Sequence, residues 1–390
     1  MVEYITGERS YVNWLYHVPG IGRKKLKKML SGGLTPEEIY DMRGEQLEIY
    51  LRERCGFTEA QAGRTAGEMV TFRAQTTHEK LSQELNNKEV FLLLPGDPEY
   101  PAGLAPIPDA PHILYMKGNR KVAAAFSEKS VAIIGARDCS EYGRYVARAL
   151  GSECAHCGLP VVSGMAYGVD GIAQWAAVTE GGVVAAVLGS GADVCYPSSN
   201  RKLYDALTQQ GCVYSEYVPG TEPKANYFPP RNRIISGIAD ALIVVEAREK
   251  SGTQITVDMA LEQGKDVYVV PGRVTDKMSE GCNRMVRQGA TVVCDVEEVV
   301  REIKYGQLYN WKKEDAEKRK DNPYPAESLR YAVYLALDFE PKSVQQIYES
   351  DVWKGNGIER PAVNLLQVEL FRMQLEGAIG EKNGRFFHIK

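Results

Sequence analysis

Val131-Ala132-Ile133-Ile134-Gly135-Ala136-Arg137-Asp138-Cys139-Ser140-Glu141-Tyr142-Gly143 is the stretch that decides how this chain folds. Its first four residues are apolar, as in a strand covered on both faces. Gly135 opens a turn, and a helical pattern runs from Glu141 to Cys157. Strand, turn and helix in that order begin a βαβ unit. Outward from it the alternation continues, with nearly all-apolar runs at 160–164, 183–189, 212–217, 241–247, 266–272 and 290–293 and helical stretches between them, 253–263 among these. The pattern predicts a doubly wound α/β domain with a parallel sheet, whose ligands bind at the carboxyl ends of the strands.

Those ends argue against common cofactors. A dinucleotide turn needs three glycines spaced G-x-G-x-x-G. Here Gly135 is present, but Arg137 replaces the middle glycine and Ser140 the last. A side chain at 137 blocks a pyrophosphate from the backbone and offers a guanidinium instead. Ser140 is a good helix cap that leaves the following amides for an anion. The second strand ends in Ser163-Gly164, without the acid that holds a ribose hydroxyl, and no GxxxxGK[ST] occurs. The remaining ends carry small hydroxyl and glycine residues, Ser251-Gly252-Thr253 being the most phosphate-like, and no carboxylate pair is arranged for acid–base work. No cofactor or metal is expected. Cys154-Ala155-His156-Cys157 falls within a helical pattern with no second CxxC, which suits buried spacers.

Phe228-Pro229-Pro230-Arg231-Asn232-Arg233 lies between two strand runs. An aromatic face can stack on a base, and arginine forks can hold phosphates. The prolines stiffen the approach. The stretch reads as the heart of a single-stranded nucleic-acid site; the alternative is a core aromatic followed by a helix start with solvated arginines.

With 390 residues, 44% hydrophobic and 25% charged, the chain suits a soluble protein of two or three domains. It has no run of eighteen apolar residues, and its polar, acidic start lacks a secretory leader, so a cytoplasmic location with no membrane contact is expected. Its eight cysteines are too sparse for a disulfide scaffold. The net charge of -4 means that any DNA binding must come from a local basic patch. Residues 1–84 read as short helices. There Val18-Pro19-Gly20-Ile21-Gly22 turns into the basic helix Arg23-Lys24-Lys25-Leu26-Lys27-Lys28, like a helix–hairpin–helix or SAM-like element facing a phosphate, or a helical interaction domain whose lysines face water. Residues 85–120 are Pro- and Gly-rich and irregular, with one strand at 90–94, and belong with the sheet in a domain spanning 85–310. A charged linker follows at 311–325, then three helical runs and a hairpin around Asn383-Gly384 at 326–390, resembling a winged helix.

The ordered turns resemble one family. Tyr100-Pro101, Pro111-His112-Ile113-Leu114-Tyr115-Met116-Lys117-Gly118, Gly135-Ala136-Arg137, Ser163-Gly164-Met165-Ala166-Tyr167-Gly168-Val169-Asp170, Leu188-Gly189-Ser190-Gly191, Tyr196-Pro197, the 228–237 stretch, Ser251-Gly252-Thr253 and Pro271-Gly272 match DNA-processing protein A, also called DprA or Smf, over 90–295. The resemblance implies an extended Rossmann fold. It implies a non-catalytic protein that binds single-stranded DNA as a homodimer, loads RecA and helps replace single-strand-binding protein during natural transformation. By carry-over, Arg137, Ser140, the Ser163-Gly164 turn and Arg231 hold phosphate. Phe228 stacks on a base, Asn232 and Arg233 complete the pocket, and Lys224 adds a charge. Tyr167 and Gln174 stand where family members often read Arg and His. The helix expected at 361–374 carries Arg372 against Glu369 and is not basic, which argues against a strong grip on duplex DNA and suits protein contact at least as well. The competing function is a nucleotide enzyme like the nucleoside-5′-monophosphate phosphoribohydrolases, whose P-G-G-x-G-T-x-x-E loop corresponds here to 248–256 without the trailing glutamate.

Overall fold

The computed structural model describes residues 7–306, 324–325, 328–337, 341–354, 358–382 and 384–388. The linker expected at 311–325 lies, but for Tyr324 and Pro325, outside them. The described residues form two compact units, one taking in those up to 138 and 147–306, the other those beyond 323 together with 139–146.

The larger unit begins with six helices: α1 (Glu8–His17), α2 (Arg23–Leu30), α3 (Pro36–Asp41), α4 (Gly44–Glu53), α5 (Glu59–Gln75) and α6 (His78–Asn87). Thr35 and Thr58 close capping boxes on α3 and α5, tying off backbone donors that the first helical turn leaves unpaired. Trp14, Leu15, Leu26, Met29, Leu51 and Met69 bury one face of this bundle. The same core takes in Val90, Leu92, Ile113 and Tyr115, so the helices rest on the outer strands of the sheet.

Those strands are β1 (Val90–Leu93) and β2 (Leu114–Gly118). β2 corrects the reading of 85–120 as irregular beyond one strand. Leu114-Tyr115-Met116 is a buried apolar run, hidden from the pattern by prolines 106, 108 and 111 just before it. After α7 (Arg120–Ala124) the chain alternates: β3 (Val131–Ile134), α8 (Glu141–Cys157), β4 (Val161–Ser163), α9 (Val169–Thr179), β5 (Val184–Val187), α10 (Arg201–Gln210) and β6 (Cys212–Ser215). Then come α11 (Phe228–Ile238), β7 (Ala241–Val244), α12 (Gly252–Glu262), β8 (Asp266–Val269), α13 (Glu280–Arg287), β9 (Thr291–Val292) and α14 (Val296–Tyr305).

The sheet order is β1-β2-β6-β5-β4-β3-β7-β8-β9. From β6 to β9 all pairings are parallel, whereas β2 joins β6 and β1 joins β2 antiparallel. The order runs outward from β3 in one direction and from β7 in the other, so the reversal falls between these two strands, where a doubly wound sheet leaves a crevice. The crossover from β6 to β7 carries α11 back over the sheet, against β3, β4, β5 and α12.

In the smaller unit α15 (Leu329–Ala336), α16 (Val344–Tyr348) and α17 (Val363–Leu375) enclose a core of Val333, Ile347, Leu366, Leu370 and Met373. β10 (Lys342–Ser343), β11 (Ile379–Lys382) and β12 (Arg385–His388) form an antiparallel sheet in the order β10-β12-β11. Among the described residues no helix is long and apolar enough to cross a membrane.

Candidate nucleic-acid interface

A groove of about 840 Å³ opens at the carboxyl ends of the strands, astride the reversal between β3 and β7. Its walls are the 134–138 turn after β3, Ala166 after β4, Tyr196 after β5, the first turn of α11, and the 248–256 segment at the start of α12. A slot of about 40 Å³ shares Arg137, Phe228 and Arg231 with it and is closed by Gly164, Tyr167 and Gly189.

Phe228 lines both. It is the first residue of α11, with Pro229 and Pro230 in the first turn, where proline's fixed φ fits and its missing N–H is not needed. The stretch is therefore a helix start rather than a stiff extended approach. Tyr196 stacks on the Phe228 ring at 5.5 Å and 30°. The guanidinium carbons of Arg137 and Arg231 each lie 5.8 Å from its centroid. The ring can lie this low because residue 189 is glycine: a Cβ there would come within 2.8 Å of Phe228 Cδ1. Gly168, at φ 72°, brings the start of α9 under the Arg137 turn, where any Cβ would collide with the Ala136 carbonyl.

The two arginines of α11 do different work from the free phosphate forks the sequence suggests. Two residues apart on a helix, they point to different sides. Arg231 is 6% exposed, and its Nη1 donates to the Gly164 carbonyl at 2.9 Å and to that of Val187, tying the ends of β4 and β5 together. Its Nε donates to Asn232 Oδ1 at 3.2 Å. Burial pushes its guanidinium down to about 10, opposed by the charge of Asp170, so it stays cationic at neutral pH. Burial likewise raises Asp170 above the usual carboxylate range, partly offset by Arg231 and by the Gly164 N–H, which donates to Oδ2 at 3.1 Å. Arg233 faces away from the groove and donates through Nη2 to Glu216 Oε1 at 2.7 Å.

The other expected residues divide the same way. Arg137 is exposed on the groove wall, and Asn232 lines it half-buried. Gly164 closes the slot through its backbone, while Ser163 is fully buried with Oγ donating to the Ile133 carbonyl at 2.6 Å. Ser140 caps α8, its Oγ accepting the Gly143 N–H at 3.1 Å. Lys224 is exposed, its ammonium 5.7 Å over the Tyr227 ring. Tyr167 is half-exposed at the slot. Gln174 is fully buried, accepting the Met165 N–H at 3.0 Å and donating to the Ala185 carbonyl at 2.7 Å.

Sequence reasoning missed Tyr196, Asp170 and Arg248. Tyr196-Pro197 and Asp170 stood inside the quoted motifs, but nothing in the one-dimensional pattern placed them beside Phe228 and Arg231. Arg248 lines the groove 3.8 Å from Asp138. Ser251 begins α12 without a side-chain cap bond, its Oγ buried and unpaired among the described residues. An unpaired hydroxyl beside the amides of a helix start is a receptor for an anion.

Together these features define an α/β protein with a preformed ligand groove at its switch point. Residues 91–304 match the model of DNA recombination-mediator protein A, and the chain belongs to that family. The DNA processing protein DprA of Streptococcus pneumoniae is 39% identical over 229 residues, covering 58% of this chain and 78% of that protein. Its X-ray structure superposes at a TM-score of 0.55 with 33% identity, over 72% of this chain and 98% of that one. The DNA processing protein A of Helicobacter pylori, described for its single-stranded DNA binding mode, superposes at 0.50 with 28% identity, over 55% and 95%.

Proposed function

We propose that this protein is a recombination mediator without chemistry of its own: it binds single-stranded DNA in the groove as a cytoplasmic homodimer, displaces single-strand-binding protein and loads RecA on strands taken up during transformation. The observation that carries the reading is Phe228, a half-buried ring flanked by two guanidinium groups and a stacked tyrosine. An unpaired base can add to that stack, whereas a paired base in duplex cannot reach it. Arg137 and the start of α12 are the phosphate contacts, Asn232 adds hydrogen bonding, and Arg231 supplies charge from below while holding the floor. Lys224 adds charge at the rim, and Ser140 and the Ser163-Gly164 turn act through the backbone they hold. Arg233 serves by fixing α11. The Helicobacter protein's described binding of single strands supports the same reading.

Fluorescence anisotropy of a labelled oligothymidylate, with duplex as control, tests it. Phe228→Ala should weaken binding by about 1–3 kcal/mol, the worth of one base–aromatic stack. Arg137→Ala should weaken it and flatten its salt dependence. Binding indifferent to both residues would overturn the assignment. Release of free base from AMP would favour the nucleotide-enzyme reading instead. RecA filament growth on strands coated with single-strand-binding protein, with and without this protein, tests the loading step.

A further inference from the structure

We infer that the lysine face of α2 is a second contact surface for the same single strand, binding its phosphodiester backbone beyond the groove. The inference rests on the proposed function.

The chain is acidic overall, and many basic side chains of the larger unit are neutralised: Arg9 by Asp97 at 2.5 Å, Arg120 by Glu99 at 2.5 Å, Lys88 by Asp193 at 2.7 Å. α2 departs from this. Arg23, Lys24, Lys27 and Lys28 occupy positions i, i+1, i+4 and i+5, one side of the helix, while Leu26 and Met29 are buried on the other. Among the described residues no carboxylate lies within ion-pair distance of Lys24, Lys27 or Lys28, and all three are exposed. Like charges four apart disfavour a helix. A fold that keeps two such pairs, with no carboxylate beside the lysines, presents a site for an external polyanion.

The placement of this face selects which polyanion. Arg23 pairs with Asp109 at 2.8 Å and reaches Glu216 at 3.6 Å. Arg233 of α11 pairs with the same two carboxylates, at 3.4 and 2.7 Å. Two shared acids thus bolt α2 to the flank of the helix whose first turn lines the groove. Lys27 lies close enough to His112, in the loop of Asp109, to add to the burial that holds this imidazole below its ordinary value. Aromatic surface spans the interval: Tyr227, next to Phe228, stacks on Tyr217, next to Glu216, at 4.3 Å, with Lys224 over it. A strand leaving Phe228 along this side meets Lys224, the tyrosine pair and then the α2 lysines.

The test uses full-length protein carrying Lys24→Gln, Lys27→Gln and Lys28→Gln together, titrated across a salt series with oligothymidylates of about 6 and about 30 nucleotides, the shorter within one single-strand site. Affinity for the short strand should stay within about twofold. Affinity for the long strand should fall at least about tenfold, and its log–log salt slope should flatten by about 2, at roughly 0.7 per phosphate contact. The Lys→Arg triple variant should restore both. Unchanged long-strand binding, or equal loss on both lengths, overturns the inference, the first pointing to an acidic protein partner. Phe228→Ala, run in parallel, separates this from failure of the groove itself: if it still weakens the short strand, the groove stands without the α2 surface.

Discussion

Arg231 shows what a residue type does and does not reveal. An arginine fork fits a phosphate, a carboxylate or a pair of backbone carbonyls equally well. Which one it meets is decided by tertiary neighbours, here Gly164, Val187 and Asp170, that lie 44 or more positions away in the chain. The sequence therefore marked the stretch that lines the groove but not the direction of its arginines. Phe228 was marked as a candidate because an aromatic directly before two prolines and two arginines can stack on a base, and Arg137 because it displaces a glycine that a dinucleotide would need; both line the groove. The partnership of Arg231 with Asp170 carries its own expectation. Asp170→Ala removes a carboxylate whose charge compensates the buried Arg231 guanidinium and should destabilise the fold by about 3–5 kcal/mol, read as a fall in the urea midpoint at unchanged slope. A loss below about 1 kcal/mol would mean that the carbonyls alone suffice for Arg231.

Among elements, the strands from β3 to β8 were readable because they are nearly all apolar, the signature of a parallel sheet covered on both faces, and the edge strand β9, Thr291–Val292, was placed by the alternation. β2 was not, since its short apolar run follows prolines 106, 108 and 111, which argued for irregular chain, and its pairings to β1 and β6 are tertiary. α11 was read as an approach rather than a helix because Pro-Pro signals a break in the interior of a helix but fits its first turn. The turn into α9 is the element on which the Arg137 loop depends. Gly168→Ala forces a left-handed backbone on a residue with a Cβ, a cost of about 1–2 kcal/mol before the collision with the Ala136 carbonyl. A lowered Tm together with weaker single-strand binding is the expected outcome; lowered binding at an unchanged Tm would contradict it.

At the scale of the whole molecule, the net charge of -4 repels DNA at long range, so on the proposed reading affinity comes from local cations and amides, those of the groove and those of α2. Duplex should bind at least about tenfold more weakly than single strand, since the stacking worth about 1–3 kcal/mol per base is closed to paired bases. Equal affinities in competition titrations would show that charge alone is being read. The floor under Phe228 also has a bearing on time. Arg231 ties two strand ends and its own helix into one hydrogen-bonded piece, and Gly189 seats the ring before any ligand arrives. A receptor already in its working shape has no slow rearrangement to wait for. In stopped-flow mixing, the observed association rate should therefore climb in proportion to protein concentration without levelling off, and the lifetime of the complex, rather than the speed of capture, should separate the Phe228 variant from the parent.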